Sequence, residues 1–180
     1  ESWAGNLIAT ALCVACWGYF LYQGVVDPLG GINTLWPLFG ISNQMLAAVA
    51  LILCTVVLFR MKKDRYAWVT IAPAAWLVVC TLTAGWQKIL SADAKVGFLA
   101  HASKYADALA AGQLLAPAKS TEAMSRIVFN DRLDALLCAL FMAVVISVLV
   151  YGVRASLAAR AAGRPTATEV PFEAMPVPAK

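Results

Sequence analysis

Apolar residues fill four runs along the chain, separated by turn-rich or basic connections and one long polar stretch. Each run approaches the twenty or so residues that cross a hydrocarbon core of ~30 Å at 1.5 Å per residue. The first covers about 3–22, with Trp3 at one end and Tyr19 and Tyr22 at the other, as in interfacial aromatic belts. Gly24, Asp27, Pro28, Gly30 and Gly31 then read as a turn-rich connection. The second run covers about 36–59 and ends on Arg60. Its uniformly apolar part, Met45 to Phe59 with only Thr55 as an exception, spans only ~22 Å, so the helix must begin near Trp36. That start brings Pro37, Gly40, Ser42, Asn43 and Gln44 into the membrane or to its edge, a polar break that leaves open whether the helix is interrupted near Gly40. The third run covers about 68–86, with Pro73 near its start, and the fourth about 133–153.

The pattern predicts an all-α integral membrane fold: four transmembrane helices plus an outer amphipathic helical segment over 87–131. Within that segment Phe98, Leu99, Ala102, Tyr105, Ala106 and Leu109 make a helical stripe suited to lying on the membrane or against the bundle. Gly112 and Pro117 break it, and Ser120 with Thr121 can cap a second short helix carrying Met124, Ile127 and Val128. Residues 156–180, with Pro165, Pro171, Pro176 and Pro178, read as a disordered tail. The chain starts at Glu1 directly before its first span, which reads as a fragment of a larger helical transporter whose N-terminal transmembrane part is its first partner.

Composition agrees: 62% of residues are hydrophobic and only 13% charged, against ~45 to 50% apolar in soluble domains. The net charge of +4 does not call for nucleic acid, because Lys and Arg sit mainly at span ends. Arg60, Lys62, Lys63 and Arg65 crowd one short connection with Asp64 as the sole acid, and Arg154, Arg160 and Arg164 follow the last span. By the positive-inside rule the 60–66 loop and the C-terminus are both cytoplasmic, and these basic residues are topology determinants in contact with the lipid bilayer.

Candidate chemistry is sparse. No Asp, Glu, Lys, Arg or His occurs between Ser2 and Val26, Ile41 and Phe59, Ala67 and Trp86, or Ala135 and Val153. Such residues mark proton relays and charged-substrate sites, so proton coupling is expected in other parts of the parent. Ser42, Asn43 and Gln44 are the intramembrane candidates, either binding substrate or ion or gluing helices together. Asn130 and Asp131, with Asp134, Arg126 and Arg132 close in sequence, stand where the outer segment enters the last span. They serve as helix N-terminal caps or as groups at an outer mouth. The lone His101 is expected to be interfacial or capping, with pH sensing as the other option. Cys13 and Cys16 form a CxxC, but all five cysteines lie in apolar spans and read as small buried hydrophobes, so no metal site and no cofactor is expected. No GxSxG, HExxH or phosphate-loop motif is present, which leaves an enzyme without a catalytic residue set.

Five blocks in order, NTLWPLFGISNQMLAAVAL, GWQKI, GFLAHA, LAPAK and IVFNDRLDA, resemble the C-terminal part of the carbon starvation protein A (CstA) family over roughly 30–160. The resemblance implies a bacterial inner-membrane secondary transporter active in starvation. Its small-molecule substrate would be a peptide or a small carboxylate such as pyruvate, taken up with protons. The alternative is a membrane scaffold or starvation-signalling component without transport of its own. No residue role follows from the resemblance.

Overall fold

The computed structural model describes residues 3–27, 29 and 31–162, the side chains of 23, 31–35 and 37 excepted. Among the described residues it is all helical: α1 (Trp3–Val26), α2 (Gly31–Arg60), α3 (Trp68–Leu90), α4 (Phe98–Ala110) and α5 (Thr121–Ala161), with a 3-10 turn at Asp64–Tyr66 between α2 and α3. Four of these, all but α4, are long and apolar enough to cross a membrane.

The question left open near Gly40 is answered and one expectation is corrected. α2 runs unbroken from Gly31 to Arg60. Its polar residues do not break it, because the Ser42 hydroxyl donates back to the Phe39 carbonyl at 3.0 Å and is satisfied within the helix. The short helix expected after Ser120 and the last span are likewise one element, α5. Its 41 residues make a rod of ~60 Å, about twice the hydrocarbon thickness. Ser120 is the N-cap as expected, its Oγ accepting from the Ala123 N–H at 3.1 Å, with Glu122 in the first turn. At the other end α5 continues through Ala161, into the stretch read as tail, while 163–180 lie outside the described residues.

α5 is the axis on which α2, α3 and α4 pack. Three apolar layers are stacked along it. In the first, Met124 and Ile127 meet Tyr105, Ala108 and Ala118. In the second, Ala135 and Cys138 meet Leu38, Ile41 and Phe98. In the third, Val145 meets Ala48, Ile52, Ala74 and Val78. The order of contacts shows α2 parallel to α5 and α3 antiparallel to both. Gly152 permits the close approach of α2 and α5, since a Cβ there would run into Ile52 Cγ2. The Thr55 and Thr70 hydroxyls meet at 2.7 Å between α2 and α3, an intramembrane hydrogen bond of the kind worth about 0.6 kcal/mol on average.

The amphipathic stripe predicted for 98–109 becomes α4, which packs on α5 with Phe98, Ala102, Tyr105 and Ala108 buried. Leu99 turns outward instead. α4 ends in a Schellman cap: Gly112 has φ +67°, its N–H reaches the Leu109 carbonyl, and the Gln113 N–H reaches that of Ala108. A second Schellman cap ends α2 with Lys62 at φ 56° in the glycine position. The Lys62 ammonium donates to the Ala159 carbonyl at 2.7 Å and to that of Arg160 at 3.2 Å, tying the 60–66 loop to the end of α5.

α1 stands apart. Among the described residues its helix packing is against α2, and Leu7, Leu12, Trp17 and Leu21 are open along it. Cys13 and Cys16 are exposed there, and Cys54 is exposed on α2, so the burial expected of the cysteines holds fully for Cys138 alone. All five are free.

Candidate functional site

The polar residues gather at the end of the bundle opposite the basic loop. α5 carries Asn130, Asp131 and Asp134 on one side, as offsets of three and four dictate, and all three are buried. They are not helix caps: α5 begins nine residues before Asn130, at Thr121, so they lie in its interior. Asp27, also buried, lies in the turn between α1 and α2, where its Oδ1 accepts from the Leu29 N–H at 3.1 Å.

α4 supplies the counterpart. His101 Nδ1 lies 2.7 Å from Asp131 Oδ2, and the imidazole packs against the Tyr105 ring at 4.8 Å between centroids. An ionised carboxylate can only accept, so Nδ1 carries the proton in that state. The pair grades inward from solvent, with side-chain exposures of 24% for His101 and 4% for Asp131. The Tyr105 hydroxyl donates to the Ala116 carbonyl at 2.9 Å and holds the loop that follows α4. Burial raises the Tyr105 phenol above its ordinary pKa, and the negative charge of Asp131 adds to the effect.

Asp134 lies one turn further along α5, 4% exposed. Asp131 and Asp27 are within electrostatic reach of it, and its Oδ2 has no hydrogen-bond partner. On α3, the Lys88 ammonium sits 5.5 Å over the Phe98 ring and acts electrostatically on Cys138, one turn beyond Asp134. Among the described residues no three His, Cys, Asp or Glu side chains are placed to hold a metal ion.

Asn130 also lines an open cleft of about 430 Å³ between the end of α1 and the start of α5, together with Tyr22, Ser125, Arg126 and Phe129. The Arg126 guanidinium there donates to Glu122 at 2.8 Å. Asp131 is not on this cleft but behind it, so the two outer-mouth candidates occupy different surroundings. Ser42 is half-buried, and Asn43 and Gln44 are exposed on α2. The structure does not bring these three to the acidic cluster. Arg60, Lys62, Lys63 and Arg65 remain together at the opposite end, where Lys62 has the capping role described above.

Residues 1–84 match the family model described as carbon starvation protein CstA. The whole chain is also similar to curated proteins. It is 59% identical over 177 residues, 98% of its own length and 25% of the relative's, to a peptide transporter CstA of Escherichia coli strain K12. It is 49% identical over 179 residues, 99% of its length and again 25% of the relative's, to a pyruvate/proton symporter BtsT of the same organism. A peptide transporter CstA of Helicobacter pylori strain J99 is 42% identical over 156 residues, covering 86% of the chain and 23% of the relative. The chain belongs to the CstA family. No solved structure matches it.

The chain spans about a quarter of the length of these curated CstA-family relatives. The family-model match begins at residue 1, so the resemblance read over 30–160 extends through α1 as well. With its apolar helices, this makes it part of a multi-pass membrane protein. Sequence reasoning missed the pairing of His101 with Asp131, the approach of Asp27 and the isolation of Asp134. The residues themselves held one usable signal: Asn130 and Asp134 stand four apart and Asp131 and Asp134 three apart, on one face of any helix that includes them all.

Proposed function

We propose that this chain is the C-terminal membrane part of a bacterial inner-membrane secondary transporter that takes up peptides or a small carboxylate such as pyruvate, coupled to protons, during starvation. The observation that carries the reading is identity of 59% and 49% across nearly the whole chain to proteins named as a peptide transporter and a pyruvate/proton symporter. The buried Asp131, paired with His101, and the buried Asp134 support it, because ionisable groups inside a helical membrane bundle are costly and mark ion and substrate paths.

In this reading the N-terminal transmembrane part packs against α1 and against the exposed side of α2. Asn43 and Gln44, amide side chains exposed on an apolar helix, need protein or water as neighbours in a bilayer. They face the rest of the transporter and contribute to its substrate or ion path, with Ser42 beside them. Asn130 and the Arg126 cleft form the outer approach to that path, and the 60–66 loop and the C-terminus are cytoplasmic.

Uptake by the full-length protein in proteoliposomes tests this. A dipeptide or pyruvate should accumulate when an inward proton gradient is imposed. Failure of both to enter, with and without the gradient, would sink the transporter reading. Alanine at Asn43 or Gln44 should lower uptake at unchanged membrane abundance, whereas loss of abundance alone would make them packing residues.

A further inference from the structure

Asp134 is unusual among the carboxylates of this chain. A buried carboxylate that serves only to hold a fold together is surrounded by donors, because an unsatisfied buried acceptor costs free energy. Asp134 is 4% exposed and its Oδ2 meets no donor. The ionisable groups near it are accounted for element by element. From its own helix comes Asp131, and from the α1–α2 turn Asp27. From α4 come His101, paired with Asp131, and Tyr105, whose hydroxyl donates to the Ala116 carbonyl. From α3 comes Lys88, which lies over Phe98 and reaches Cys138. Among the described residues no cation is paired with Asp134, and no three His, Cys, Asp or Glu side chains are placed to hold a metal there. The ligand that such a carboxyl can take without further partners is a proton.

We propose that Asp134 is a proton-binding site of the transport cycle, loaded from the outer side by way of His101 and Asp131. The proposal rests on the transporter reading above. Loading forms an O–H bond at Asp134 Oδ2 and converts an acceptor-only carboxylate into a carboxyl that donates. The proton arrives from water at the partly exposed imidazole, passes through the Asp131 carboxylate one turn away, and leaves to water once the bundle opens inward. His101 and Asp131 are positioning residues that set the rate of loading. Asp134 is the group that holds the proton.

The test uses full-length protein in proteoliposomes with radiolabelled dipeptide and pyruvate. In Asp134→Asn, accumulation driven by an inward proton gradient should be lost while exchange of internal for external substrate at equal pH persists. Asp134→Glu should restore gradient-driven accumulation. His101→Ala should slow accumulation without lowering its final level, since a relay alters rate and not equilibrium. Wild-type accumulation by Asp134→Asn, or loss of exchange together with accumulation in both Asp134 variants, overturns the proposal. A second measurement does not depend on transport: purified wild-type protein should be modified at Asp134 by dicyclohexylcarbodiimide, which attacks protonated carboxyls in apolar surroundings, with less modification as pH rises. An absence of modification at every pH overturns the proposal even if uptake is seen. Modification of a protein that moves neither substrate would sustain the site and sink the transporter reading instead.

Discussion

At the scale of single residues, the polar cluster owes its character to the distance between chemistry in sequence and chemistry in space. His101 and Asp131 are thirty positions apart, and their 2.7 Å contact exists only because α4 folds back onto α5. A lone histidine on an amphipathic helix gives no hint of that. Tyr105 offers a direct probe of the pair. Its phenol is raised by burial first and by Asp131 second, so the folded state holds that proton more tightly than the unfolded chain. The stability this supplies is complete below about pH 10, the ordinary tyrosine value, and is lost as pH climbs through the raised folded value. The ultraviolet tyrosinate difference between wild type and Tyr105→Phe should therefore titrate above the ordinary value, and in Asp131→Asn it should move back down. Thr81 gives a test of another kind. It is fully buried on α3 and its hydroxyl has no hydrogen-bond partner. Thr81→Val removes that unsatisfied group at nearly constant volume and should raise thermal stability in detergent, by about 1 kcal/mol. A loss of stability would show that the hydroxyl has a partner in the full-length protein.

Among elements, the lengths of apolar runs were legible and their interruptions were not. The four runs fall within α1, α2, α3 and α5, because desolvation in a bilayer leaves a helix as the only way for a single segment to satisfy its backbone. The polar triplet at 42–44 looked like a break, yet a serine can return its proton to the preceding turn and leave the helix intact. The same confusion of polarity with discontinuity divided α5, whose buried Asn130, Asp131 and Asp134 sit in mid-helix. Lys62 is a further case of a role hidden by composition. It counts as one positive charge in a basic loop, but it occupies the left-handed position of a Schellman cap and clasps the end of α5. A side chain in that conformation costs roughly 1 kcal/mol that glycine would not, and the two carbonyl contacts offset the cost. Lys62→Gly removes the clasp and the strain together, whereas Lys62→Ala removes the clasp and keeps the strain. Alanine should melt below wild type and glycine close to it; a glycine variant more stable than wild type by the full ~1 kcal/mol, with alanine equal to wild type, would mean the clasp contributes nothing.

For the whole molecule, the decisive question is which side of the membrane each end of the bundle faces. The Lys62 contacts to Ala159 and Arg160 put the 60–66 loop and the C-terminal end of α5 at one end of the bundle. The His101–Asp131 cluster and the Asn130 cleft occupy the other. The two ends differ in charge as well as position: the loop end gathers Arg60, Lys62, Lys63, Arg65, Arg154 and Arg160, while the other holds the buried carboxylates. Geometry puts these six basic groups on one side, and the orientation proposed above makes that side the cytoplasmic one. A single cysteine placed between Lys62 and Arg65 in a cysteine-free full-length protein should resist an impermeant thiol reagent added to the periplasm of intact cells, and react once the inner membrane is opened. A cysteine at Gln113, in the loop after α4, should show the opposite pattern. If the first were labelled and the second protected, the bundle would be inverted, and the His101–Asp131 pair would become the site of proton release into the cell instead of its uptake. Labelling of both sites from one side would contradict the packing itself, because α3 would then not cross the membrane between them.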